Sequence, residues 1–151
     1  MRATTGYDRL LLPTDGSDAT RAAVAEAGRI AALSDATVHV LSVADSRNRF
    51  ESPTAGIAAD AWERAERERA EAAVDEAIDA LPDDVATERI VREGIPKTEI
   101  LDSVADADVD LVVMGTHGRT GLDHYLIGSV TERVVRNAPV PVLTVRAGAT
   151  D

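Results

Sequence analysis

The sequence predicts an α/β fold: a single three-layer sandwich with one five-stranded parallel sheet and helices on both faces. Three observations predict it. Five short apolar segments alternate with four stretches of helical period, and strands joined by helical crossovers lie parallel in one sheet. The runs Arg9–Thr14 and Leu111–Met114 are apolar and short, as buried strands are. Aromatic residues make up only 3% of the chain. The core must therefore be Val, Leu, Ile and Ala, which suits a parallel sheet covered by alanine-rich helices.

In chain order, Arg9–Thr14 is strand one. Asp15-Gly16-Ser17-Asp18 is turn chemistry, with Ser17 or Asp18 as the cap of a helix running to about Leu33. Thr37–Ala44 is rich in β-branched residues and forms strand two. Asp45–Gly56 is a polar loop. Helix two runs from about Ala58 to Leu81, with Ala70, Ala73, Val74, Ala77 and Ile78 on one side. Its opposite face carries charges four apart, Glu63 with Arg67 and Arg64 with Glu68, and reads as a solvated face without a function. Thr87–Val91 alternates, as an edge strand does, and Arg92-Glu93-Gly94 turns after it. Pro96 opens helix three, which reaches about Ala105. Asp110–Met114 is strand four. Helix four begins at Gly128-Ser129 and stops before Pro139, and Val140–Val145 is strand five. Pro141 lacks a backbone donor, which places that strand at an edge or makes the proline a strand end.

The stretch from Leu111 to Asn137 carries the chemistry. A strand ends at Gly115, a loop holds Gly118 and Gly121, and Gly128-Ser129 opens an amphipathic helix. The first N–H groups of a helix have no partner inside it, and the helix dipole adds positive charge there. Gly115, Gly118, Gly128 and Ser129, spaced G-x2-G-x9-G-S, therefore read as an anion site, with the Ser129 and Val130 N–H groups and the Ser129 hydroxyl on phosphate oxygens. Arg119 is placed to reach phosphate, and His117 lies within the loop.

The common sheet orders for this pattern are 3-2-1-4-5 and 2-1-3-4-5, and ligands bind where the winding reverses. In the first order that point lies between strands one and four, so Pro13-Thr14-Asp15 faces Met114-Gly115. Asp15 could accept hydrogen bonds from a ribose hydroxyl, hold a metal through water, or simply close a turn before helix one. Val43 and Met114 lie near strand ends, where they pack in the core or border an adenine.

Composition bounds the rest. Net charge is −11, yet residues 115–146 balance at +2, so the anion site lies in the one basic part of an acidic chain. Lys97 is the only lysine, and such an acidic, lysine-poor surface suits a salt-rich cell interior and disfavours DNA or an anionic membrane as partner. The absence of cysteine removes disulfides and thiolate zinc sites. No apolar run spans a membrane and the N-terminus has no signal-peptide apolar region, so the expected location is the cytoplasm. The standard phosphate loop, the dinucleotide fingerprint and the serine nucleophile turn are absent, and no acid/base pair can be assigned. The chemistry reads as binding, with slow hydrolysis at most.

The residues resemble the universal stress protein family. The motif G-x2-G-x9-G-S after DLVVM, PTDGS at the end of strand one and LSVAD in strand two carry the resemblance, which covers Arg9 to Val145. It implies the order 3-2-1-4-5, one domain over residues 1–151 and ATP as ligand, with Mg2+ held mainly by the phosphates. It places Pro13, Thr14 and Asp15 at the strand-one turn with the aspartate on ribose, and the Val43 backbone at adenine. Met114 and Gly115 lie beside adenine and ribose, and Gly118, Gly128, Ser129 and Val130 at the phosphates. It also implies a homodimer through the last strand, Val140–Val145. One departure is Leu41-Ser42-Val43, where the family often has histidine in the middle. The function expected is that of an ATP-binding stress-response protein, a switch in which nucleotide orders the Thr116–Ile127 loop for an unknown protein partner. The alternatives are a nucleotide hydrolase or transferase on a related fold, and a structural dimer with a vestigial site. A receiver-like module is disfavoured, because strand three supplies no phosphoacceptor cluster.

Overall fold

A computed structural model describes residues 6–46, 57–117 and 127–147. The sheet has five parallel strands: β1 (Arg9–Pro13), β2 (Thr37–Asp45), β3 (Ala86–Gly94), β4 (Leu111–Gly115) and β5 (Val142–Val145). Their order is β3-β2-β1-β4-β5, the first of the two expected from the pattern. The helices are α1 (Arg21–Ser34), α2 (Ile57–Ala80), α3 (Pro96–Asp106) and α4 (Ser129–Asn137).

Side chains alternate across the sheet and divide the core in two. Leu10, Leu12, Val38, Val40 and Val113 point to one face, where Ala23, Ala27 and Ala31 of α1 and Val74 and Ala77 of α2 cover them. Leu11, Leu41, Val43, Val112 and Met114 point to the other, under Ile100 and Val104 of α3 and Val134 of α4. Leu10, Leu11 and Leu12 are wholly buried, because β1 is flanked by strands on both sides and helices on both faces. Pro13 closes β1, where a missing donor interrupts no further pairing in that strand.

Several boundaries move from the sequence reading. The chain enters α1 through a 3-10 turn, Asp18–Thr20, and neither Ser17 nor Asp18 caps the helix; Ser17 makes no side-chain cap bond. Thr20 holds the turn instead, donating both its N–H and its hydroxyl to the Ser17 carbonyl, at 3.1 and 2.8 Å. β3 continues through the expected turn at Arg92-Glu93-Gly94, since β2 runs on to Asp45 and pairs with it residue for residue. Arg92 is fixed there by ion pairs to Glu99 and Asp106 of α3. Asp45, expected in a loop, is a buried strand end; residues 47–56 of that loop lie outside the described residues. β5 starts at Val142 rather than Val140, its pairing opening with the bond from Val112 N–H to the Pro141 carbonyl at 3.0 Å. On α2, Arg67 reaches Glu71 one turn on, at 3.6 Å.

One carboxylate ties the start of the sheet across 102 residues of sequence. Asp110 accepts the Asp8 and Arg9 N–H groups on its two oxygens, each at 3.0 Å, and so fixes the entry of β4 beside that of β1.

His39, on β2, is half-buried with its Nε2 atom buried and unpartnered among the described residues. Desolvation is the largest influence on it and pushes its pKa below the ordinary histidine value; Glu88 opposes this and Arg9 adds to it. The folded chain therefore binds this proton less readily than the unfolded chain. The contribution is fully present above the unfolded pKa of about 6.5 and is lost as pH falls below it. Melting temperature should decline from about pH 6.5 downward, and His39→Gln should flatten that decline in a calorimetric pH series. An unchanged slope in the variant would assign the decline to other groups.

Candidate functional site

The site is built from the carboxyl ends of β1, β2 and β4. Leu11 pairs with Val112, and Pro13 with Leu41, so Pro13, Leu41 and Met114 share one face of the sheet, with Val43 two residues beyond Leu41. That face carries α3 and α4. β1 lies between β2 and β4 where the winding reverses, and the crevice of an open α/β sheet lies at that point.

The β1 wall is a tight turn. Asp15 Oδ1 accepts the Ser17 N–H at 3.0 Å, so one carboxylate oxygen closes an Asx turn. Gly16 sits at φ +79°, a conformation that side chains with a Cβ rarely adopt. Thr14 is buried, and its hydroxyl accepts the Gly16 N–H at 3.2 Å and lies 3.1 Å from the Thr20 hydroxyl. Thr20 gives its proton to Ser17, so Thr14 is the donor of that pair. The Thr14 side chain is thus engaged in shaping the turn.

The β4 wall is closed onto α4. A Cβ on Gly115 would lie 2.9 Å from the Ala19 carbonyl oxygen, so glycine lets the end of β4 lie against the turn that follows β1. Gly128 donates its N–H to the Thr116 carbonyl at 2.8 Å, and the Thr131 hydroxyl donates to the Gly115 carbonyl at the same distance. These two bonds fix the first turn of α4 beside the end of β4. No side chain caps that helix, and Gly128 precedes it with extended backbone. The N–H groups of Ser129 and Val130 begin the helix and have no partner within it. Ser129 is exposed and Val130 half-buried. His117 places Nδ1 3.0 Å from the Thr116 hydroxyl, and its Nε2 is buried without a partner among the described residues. Gly118 and Arg119 lie outside the described residues.

The structure thus brings Pro13, Thr14, Asp15, Val43, Met114, Gly115, Gly128, Ser129 and Val130 to one end of the sheet. Sequence reasoning missed three supporting residues. Thr131 follows the glycine-serine pair as an ordinary helical polar residue, and nothing local marks its bond to Gly115. Glu66 and Arg69 belong to the face of α2 that reads as solvated, yet Glu66 is buried. Arg69 donates to the Asp15 carbonyl at 3.0 Å and to the Val43 carbonyl at 2.8 Å.

Fold and site together define a parallel α/β protein with an uncapped helix start at its switch point. Comparison with known proteins makes the class specific. The model of the universal stress protein family matches residues 6–146. Universal stress protein MJ0531 of Methanocaldococcus jannaschii is 37% identical over 147 residues, which cover 93% of this chain and 82% of that protein. The solved structure of MJ0577, from the same organism, superposes with a TM-score of 0.77 at 29% identity, covering 95% of this chain and 99% of that one. A universal stress protein solved in complex with cAMP has a TM-score of 0.63 at 26% identity, covering 95% of this chain and all of its own. This chain belongs to the universal stress protein family. Among its described residues no helix is long and apolar enough to cross a membrane.

Proposed function

We propose that this chain is an ATP-binding stress-response protein that acts as a nucleotide-dependent switch, with slow hydrolysis at most. The observation that carries the reading is the uncapped start of α4, held beside the ends of β1 and β4 by Gly128 and Thr131. Backbone N–H groups at that point present a preorganised donor set to an anion. The cAMP complex of a family member supports a nucleotide over other anions.

In this reading Ser129 and Val130 hold phosphate oxygens with Gly128, Gly118 and Arg119 beside them, and His117 lines the loop. Asp15 meets the ribose, the Val43 backbone and Met114 border the adenine, and Pro13, Thr14 and Gly115 shape the pocket. Mg2+, where it accompanies ATP, is held mainly by the phosphates. The Thr116–Ile127 loop is the segment that nucleotide would order for a protein partner. Among the described residues only Asp15 suits a metal-holding or catalytic part, and phosphoryl transfer needs a second group to orient the nucleophile. The hydrolase reading is weaker on that ground.

The second copy of the chain is placed at β5. This strand forms one end of the sheet, and Leu143 on it is more than a third exposed. An edge strand with exposed apolar residues is a surface that pairing would cover. The chain is assigned to a salt-rich cytoplasm, where its −11 charge is screened. Native mass spectrometry of freshly purified protein in concentrated ammonium acetate tests the two assignments together. A dimer mass carrying adenine nucleotide is expected. Monomer without nucleotide, still unliganded after ATP is added, would overturn both.

A further inference from the structure

We propose that Arg69 is a positioning residue for the base-and-ribose end of the pocket, clamping the diverging ends of β1 and β2 in the spacing that a nucleotide needs. This rests on the ATP reading above. Arg69 projects from α2, with its side chain 22% exposed. Its Nη1 donates to the Asp15 carbonyl at 3.0 Å and its Nη2 to the Val43 carbonyl at 2.8 Å. The guanidinium is itself oriented by Glu66, through Nε to Oε2 at 3.3 Å and Nη2 to Oε1 at 3.2 Å. Glu66 Oε1 also accepts the Asp45 N–H at 3.0 Å, two residues past Val43.

Strand geometry explains why an arginine is needed there. The Leu41 carbonyl accepts the Thr14 N–H at 2.8 Å, across the β1–β2 pair. Carbonyls of alternate strand residues point the same way, so Val43 aims its carbonyl toward β1 as Leu41 does. By then β1 has turned away through Asp15 and Gly16, and the regular ladder partner is gone. The planar fork of Arg69 fills the gap, joining the carbonyls of both strands where they separate. Each carbonyl gains a charge-assisted bond, and the Glu66 carboxylate neutralises the cation that makes them. The residues so joined, Asp15 and Val43, are those assigned to ribose and adenine. The phosphate end has separate supports, Gly128 to Thr116 and Thr131 to Gly115, in which Arg69 takes no part.

The two ends of the pocket can therefore be uncoupled. The full chain and its Arg69→Ala and Arg69→Lys variants are titrated calorimetrically in molar KCl, with Mg-ATP and with inorganic tripolyphosphate. Preorganisation of a site reads out as affinity. Arg69→Ala should weaken ATP by about tenfold or more and leave tripolyphosphate within about twofold of wild type, with far-UV circular dichroism unchanged. Arg69→Lys keeps the charge but not the fork, and should recover part of the loss. If the alanine variant does not fold, the lysine variant decides by the same split between ligands. ATP binding within about twofold of wild type in the variants, or an equal loss for both ligands, would overturn the positioning role. A wild-type chain that binds no ATP would instead overturn the nucleotide reading itself.

Discussion

Gly128→Val should remove ATP binding from a chain that still folds. The substitution is conformationally permitted, since Gly128 has φ −61° and ψ 152°, extended backbone that valine adopts readily. The added atoms are the difficulty. A Cβ at this position would lie 3.3 Å from the Thr116 carbonyl oxygen and 3.5 Å from His117 Cα. The branches of valine must then press into the neck where β4 passes to the start of α4, and shift the N–H groups of Ser129 and Val130 from their places. Hydrogen bonds to a charged group contribute about 1.5–3 kcal/mol each. Misplacing both lowers affinity by roughly 100-fold or more. The melting temperature should move by no more than about 3 °C, because the core on either side is untouched. Calorimetric titration beside a thermal melt separates the two quantities. Retained affinity would place the phosphates elsewhere.

Gly115→Val should behave differently and lose stability first. The Cβ would sit 2.9 Å from the Ala19 carbonyl oxygen, a backbone atom in the 3-10 turn that leads into α1. No side chain can swing aside to relieve it. Either β4 or the turn after β1 must move, and Thr131 is bonded to the carbonyl of the substituted residue itself. Overpacking of this kind costs about 1–3 kcal/mol, which for a chain of this size lowers the melting temperature by roughly 3–10 °C. ATP binding should fall as well, since the displaced turn carries Asp15. A variant melting within about 1 °C of wild type would show that this contact relaxes freely. The two glycines thus act at different levels: Gly128 sits at the start of α4 against Thr116, and Gly115 lets the end of β4 lie against the turn after β1.

The sheet was legible because hydrophobic pattern encodes it. Leu10–Leu12 and Leu111–Met114 are uninterrupted apolar runs, and they are two of the three inner strands. Boundaries were less legible where pairing overrides local chemistry. Arg92-Glu93-Gly94 looks like a turn by composition, yet it is strand because β2 extends alongside it and α3 supplies Glu99 and Asp106 to Arg92. Ser17 looks like a cap, but the turn geometry gives the work to Thr20.

The site divides in the same way. The residues proposed to contact nucleotide are glycines, a helix start and the ends of strands, all readable in order along the chain. The site's supports are not. Arg69 lies 54 residues from Asp15 and 26 from Val43, and Asp110 lies 102 from Asp8. Within α2, Arg69 is one of several arginines among glutamates, and only the placement of the strand ends distinguishes it from Arg67, which stays on the surface. Helical period reveals which face is apolar. It does not reveal which charged residue at the border of that face meets a carbonyl at a strand end.

Isothermal titration of Mg-ATP into the purified chain in molar KCl tests the central claim most directly. Saturable heat at one nucleotide per chain, absent in the Gly128→Val variant, is the result expected of a nucleotide held at the start of α4. No heat from the wild-type chain, with no nucleotide released on denaturing it, would contradict that claim.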